Sequence, residues 1–164
     1  MNPSPTGCYN DNRATPDQVL KYLSRLSGPF LDRIDIQIEV PRLPAGLWSK
    51  TTEQQETSEE IRQRVWQTNQ RQLARQGKVN AKLSSTELKQ YCQLTPDDNN
   101  FLELAVEKLG LSTRAHHKIL KIARTIADMN NANEISNVHL IEALSYRAMD
   151  KIIHKLTNPA AMAY

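Results

Sequence analysis

The chain has 164 residues, 39% hydrophobic and 24% charged, with a formal net charge of +3. That is the balance of an ordinary globular domain, and it excludes collagen-like and disordered classes. Its apolar runs are only a few residues long and Met1-Asn2-Pro3 opens no leader, so the expectation is a cytoplasmic protein with no membrane partner.

Asn2-Pro3-Ser4-Pro5-Thr6-Gly7 begins abruptly with loop chemistry. Thr15-Pro16 then sets an N-cap before an N1 proline, and Val19, Leu20, Leu23 and Leu26 recur at helical spacing until Gly28-Pro29, predicting a helix over 16–27. Ile34, Ile36, Ile38 and Val40 alternate with Asp35, Gln37 and Glu39, which predicts a half-buried strand ending at Pro41. A lone strand must pair its ladder groups, so a dimer edge or a sheet outside this chain is implied. Pro, Gly, Ser, Thr and Gln up to Thr57 suit a linker.

Beyond it every pattern is helical. Thr57-x-x-Glu60 is a capping box before Ile61, Val65, Trp66 and Leu73, with Gly77 as the stop. Ser84-x-x-Glu87 is a second capping box, opening a short helix with Leu88 and Tyr91 on one side. Thr95-Pro96 starts a third helix, with Asp97 and Asp98 in its first turn and Leu102, Ala105, Val106 and Leu109 along one side before Gly110. Ser112 caps a fourth, whose Ile119, Ile122, Ala123 and Ile126 follow helical spacing to Asn130-Asn131. Ile135-Ser136 leads to a last helix through Val138, Ile141, Leu144 and Ala148, with an extension towards Leu156. The fold class read from these patterns is mainly α: a helical bundle over 58–156, preceded by a helix-strand remnant over 1–43 and a linker over 44–57, and followed by a tail over 157–164.

Chemistry is sparse. No phosphate loop, H-E-x-x-H, nucleophile arrangement or paired-carboxylate signature appears, so a complete active site is not expected in this chain. Cys8 and Cys92 lack zinc or redox spacing and read as free thiols, and His116, His117, His139 and His154 lack a metal-ligand pattern. Residues 61–91 hold Arg62, Arg64, Arg71, Arg75, Lys78, Lys82 and Lys89 against Glu87 alone, which is either a solvated helix face or a surface for an anionic partner. Arg114 projects from the first turn of the fourth helix, with Lys118, Lys121 and Arg124 along the same side. Cations at that end oppose the helix dipole, so either an anionic ligand or an acidic neighbour such as Glu103 or Glu107 should be holding Arg114 there. Arg33 stands just before the predicted strand, where Asp32 and Asp35 could neutralise it.

Several stretches occur together in order: Asn2-Pro3; Leu26 through Asp35 (LSGPFLDRID); Ile61-Arg62-x-Arg64-Val65; Asn80-Ala81-x-Leu83; Gly110 through Leu120 (GLSTRAHHKIL); Ala123 through Asp128 (ARTIAD); and His139 through Arg147. In this combination the chain closely resembles the ComM-type, magnesium-chelatase-like AAA+ ATPases over nearly its whole length. The resemblance implies that Asn2 is the sensor-1 residue at the end of a core strand, Arg33 the arginine finger, and Arg114 the sensor-2 arginine of the helical lid. It implies a carboxy-terminal portion holding the end of the ATPase core and the lid. ATP and magnesium would then be bound in the parent protein through motifs lying upstream, and the isolated chain would hold neither.

The implied parent is a homo-oligomeric ring, expected to be a hexamer, acting on DNA as a branch-migration helicase in natural transformation. Relatives often carry a cysteine-rich insertion after the Asn-Pro, whereas this chain reads Ser4-Pro5-Thr6-Gly7-Cys8, so no zinc is expected there. Two other functions stay open at this level. One is an independent helical nucleic-acid-binding module using Arg64, Arg71, Arg75, Lys118 and Lys121, and the other is a metal-chelatase motor subunit.

Overall fold

The computed structural model describes residues 33–40, 56–148 and 150, together with Thr15, Gln18, Lys21 and Phe30. Asn2, Cys8, His154, most of the helix expected over 16–27, the expected boundaries at 43/44 and 156/157, and the extension to Leu156 lie outside the described residues. Thr15 and Gln18 bond to each other reciprocally: the Thr15 hydroxyl accepts from the Gln18 N–H at 3.4 Å while the Gln18 amide oxygen accepts from the Thr15 N–H at 3.1 Å.

Five helices follow among the described residues: α1 (Ser58–Gln76), α2 (Ser85–Tyr91), α3 (Pro96–Lys108), α4 (Thr113–Met129) and α5 (Asn137–Ser145), with a 3-10 turn over Asn80–Lys82 between α1 and α2. Their starts are chemical. Thr57, Ser84, Thr95 and Ser112 each accept from the backbone N–H three residues on, and Glu60 and Glu87 return the bond to Thr57 and Ser84. At α5 a histidine does what glutamate does elsewhere, because the Ser136 N–H donates to His139 Nδ1 at 3.0 Å. Gly77 and Gly110 take φ of 70° and 61°, the left-handed turn that closes α1 and follows α3.

The core is built around α4. Ala115, Ile119, Ala123 and Ala127 lie one turn apart and all have 0% exposure, a stripe whose alanines let α5 approach closely with Leu140 and Ala143. Leu102 from α3, Leu88 from α2, and Leu83 and Ile135 from the connections close the sides. The mainly α bundle expected from the pattern is the observed fold.

Three local expectations fail. Residues 34–40 form no strand: they make one parallel bridge, Gln37 to Arg147. Gln37 is buried there, whereas Ile36, Ile38 and Val40 are exposed, because the bundle engages the polar side of the segment. On α1 the stripe of Ile61, Val65, Trp66 and Leu73 is exposed, and Thr68 and Gln72 are buried instead, so this helix packs through polar side chains. On α5 Val138 and Ile141 face out while Leu140 and Ala143 join Leu144 in the core, because those three are the residues packed into the cluster around α4.

Candidate functional site

Ser112 starts α4 by accepting from the Ala115 N–H at 3.1 Å, and no acidic residue occupies the first turn. Arg114 is exposed there, and among the described residues it has no ion pair. The expected partners do not meet it: the Glu103 carboxylate accepts from Asn99 Nδ2 at 2.7 Å, and no pair forms with Glu107. Burial, and then the neighbouring His117, hold His116 below its ordinary value of 6.5. The positive end of the helix dipole therefore carries Arg114 beside a neutral His116 at pH 7.

The other cations of α4 are engaged inside the protein. Lys118 pairs with Asp35, and Lys121 Nζ donates to the Ala81 carbonyl at 3.0 Å. Arg124, 2% exposed, donates to the carbonyls of Ala132 and Asn133 at 2.7 and 2.9 Å and pairs with Asp128. Asp35, which could have neutralised Arg33, is thus turned towards Lys118. Arg33 is exposed, its backbone N–H donating to the Phe30 carbonyl at 3.0 Å, and its side chain has no ion pair among the described residues.

Asp128 organises a buried polar junction between α1, the 3-10 turn and α4. Its carboxylate accepts from Arg75 Nη2 at 3.0 Å, Asn80 Nδ2 at 2.8 Å and Arg124 Nε at 3.2 Å, and its carbonyl accepts from Arg71 Nη1 at 2.6 Å. Asn80, 1% exposed, also gives its backbone N–H to Gln72 Oε1 at 2.9 Å and accepts from Gln76 Nε2 at 2.8 Å. Burial raises the Asp128 pKa, but the hydrogen bonds from Arg75 and Asn80 and the charge of Arg124 outweigh it, so the carboxyl sits below its ordinary value of 3.8. An open cleft of about 310 Å³ lies beside this junction, lined by Tyr91, Leu94, Gln90 and Asn133. The arginines on its wall, Arg75 and Arg124, are both turned to Asp128.

Sequence reading missed this junction because Gln72, Thr68 and Asn80 carry no apolar periodicity. The one legible signal was the Arg124–Asp128 spacing, which places the two on one helix face. The junction also bears on the five cations assigned to a nucleic-acid module. Arg64 Nη2 is bound to Glu56 at 3.0 Å, Arg71 and Arg75 to Asp128, Lys118 to Asp35 and Lys121 to Ala81. Each already has an internal partner. Among the described residues no group of three or more His, Cys, Asp or Glu is placed to hold a metal ion, and no helix is long and apolar enough to cross a membrane.

Among the described residues the bundle thus engages Lys118, Lys121 and Arg124 of its central helix internally, and leaves Arg114 at that helix's first turn without an ion pair. Comparison with known proteins places the chain in a family. The family model for the carboxy-terminal part of magnesium chelatase subunit ChlI matches residues 55–147, and the model for subunit ChlI itself matches residues 1–47. The chain is 51% identical over 160 residues to Competence protein ComM of Haemophilus influenzae, covering 96% of this chain and 31% of that protein. It is also 51% identical over 155 residues to the uncharacterized protein YifB of Escherichia coli, covering 93% of this chain and 31% of that protein. The chain belongs to the magnesium-chelatase-like AAA+ family, and within it to the ComM type. It spans about a third of the length of these relatives.

Proposed function

We propose that this chain is the lid and the trailing part of the nucleotide-binding core of an ATP-driven ring motor that acts on DNA. The observation that carries this reading is the contrast between Arg33 and Arg114, both exposed and without an ion pair among the described residues, and neighbouring cations held by internal partners. Two unpaired guanidinium groups beside a saturated polar framework suit a phosphate ligand, since each fork can bond two oxygens at once.

ATP and magnesium fit the chain in part. Arg33 and Arg114 are suited to phosphate oxygens, whereas the sequence carries no phosphate loop, so the remaining contacts belong upstream. Bound nucleotide would supply the phosphoryl group whose charge these donors stabilise. In this reading Arg33 reaches the nucleotide of a neighbouring subunit and makes turnover depend on assembly. Arg114 ties the orientation of the lid to the state of the nucleotide, because hydrolysis removes the oxygen it holds. Asn2 orients water or a phosphate oxygen through its neutral amide. Assembly as a hexamer and branch migration in natural transformation are the finer parts of this proposal. A chelatase motor subunit is the second reading, favoured by the family description of the matching models.

A graft tests it. The chain replaces the corresponding third of Haemophilus influenzae ComM, and ATP turnover is measured with and without branched DNA. DNA-stimulated turnover that falls about 10³-fold or more in Arg33→Ala, the scale of an arginine finger, is the expected result. Turnover indifferent to both Arg33→Ala and Arg114→Ala would sink the assignment, and turnover indifferent to DNA but stimulated by a metal–porphyrin pair would favour the chelatase reading.

A further inference from the structure

Arg147 is 0% exposed, although nothing in the apolar patterning of α5 asks for a charge at that position. A buried guanidinium persists only where hydrogen bonds and opposite charge compensate its lost hydration. Here Nε lies 2.6 Å from Asp150 Oδ2, one turn on, and Nη1 donates to the Ile34 carbonyl at 3.0 Å. Around it the chain closes a parallel bridge. The Gln37 N–H donates to the Tyr146 carbonyl at 2.7 Å, and the Ala148 N–H donates to the Gln37 carbonyl at 3.4 Å. Lys118 of α4 adds its ion pair to Asp35 from the other side.

We infer that Arg147 is a positioning residue: it straps residues 34–37 to the helical bundle, so that Arg33 is carried by the lid. The Arg147 side chain and the bridge grip the backbone of 34–37, and Lys118 grips the Asp35 side chain, so the strap fixes where the segment lies. Arg33 stands immediately before the strapped residues. A reorientation of the bundle that moves Arg114 then moves Arg33 with it, and the two arginines respond to nucleotide as one body. The strap stands on the geometry alone, while its effect on turnover rests on the motor reading above.

Hydrogen exchange on the whole 164-residue chain reads the strap directly. In the wild type the Gln37 amide is protected together with Ala123 and Ala127 of α4. Arg147→Met accelerates Gln37 by about tenfold or more while Ala123 and Ala127 stay protected, and Arg147→Lys restores part of the protection. A Gln37 amide that exchanges freely in the wild type, or is unchanged in Arg147→Met, overturns the inference. If Arg147→Met also releases Ala123, the paired variant Asp35→Asn with Lys118→Met decides: faster exchange at Gln37 alone supports the strap, and no change refutes it.

In the grafted motor Arg147→Met lowers kcat with KM for ATP held, and it costs nothing further when Arg33 is already alanine. Independent, multiplying losses would mean that Arg147 does not act through Arg33. The exchange result decides the strap whether or not the graft turns over ATP, so failure of the motor reading and failure of the strap are distinguishable.

Discussion

Asp128 is 2% exposed and balances two arginines, and this makes it the residue on which the packing of α1 depends. Removing it leaves Arg124 charged, buried and without its carboxylate, a loss that costs about 3–5 kcal/mol in comparable sites. Asp128→Ala should therefore lower the urea midpoint by about 2 M. The pH dependence has a definite sign. A carboxyl held below its ordinary 3.8 contributes stability that is complete above that value and is lost as the pH falls through the folded-state value. Acid unfolding followed by circular dichroism should steepen below about pH 4 in the wild type and flatten in Asp128→Asn. Cys92 is the opposite case: burial pushes its thiol up to about 11, and with 4% exposure it meets neither requirement for reactivity. In a Cys8→Ser background, a thiol reagent at pH 8 should label Cys92 only as fast as the protein unfolds, and rapid labelling of the native state would contradict its burial.

At the scale of elements, the helix starts behave as local devices. The capping box of α2 is tied to the preceding loop by Lys78, whose ammonium is 2.7 Å from Glu87 Oε1. The hydrogen bond from Lys78 and those from Ser84 lower the Glu87 carboxyl to about 2. Its contribution to holding α2 is complete above about pH 4.5 and fades as the pH approaches 2. Titration followed by NMR should find Glu87 among the last carboxylates to protonate, and Lys78→Met should move it back up. All five bundle helices were legible because caps, N1 prolines and stop glycines act within one turn of their own position. The segment 34–40 was not, because alternation announces a burial face without naming the partner, and its partner Arg147 is 113 residues from Ile34. The buried face of α1 was not legible either. Thr68 and Gln72 look like solvated residues until Asn80 and Asp128 are brought against them by the turn after Gly77. Arg33 and Arg114 stood out from their positions and took their proposed roles from the resemblance, and the structure adds that Lys118, Lys121 and Arg124 nearby in sequence are already bound.

For the whole molecule, the proposed motor makes turnover a property of the assembled ring. Arg33 acts on a neighbour's nucleotide in this reading, so mixing Arg33→Ala subunits of the graft into wild-type subunits should depress turnover in proportion to the number of interfaces that lack the arginine. Adding a phosphate-loop variant with intact Arg33 to the Arg33→Ala graft should restore part of the activity. A strictly additive response, with no rescue, would place Arg33 in its own subunit's pocket.

Gln37 and Arg147 lie side by side, so the segment ahead of the helices is bonded to the chain just past the last of them. A torque delivered by whatever precedes Gln37 reaches the stretch after Arg147 across a few ångströms of bridged peptide, without deforming the alanine-lined interior. Residues 34–37 and the bundle are thereby joined at one place, while the interior of the bundle is held by other residues.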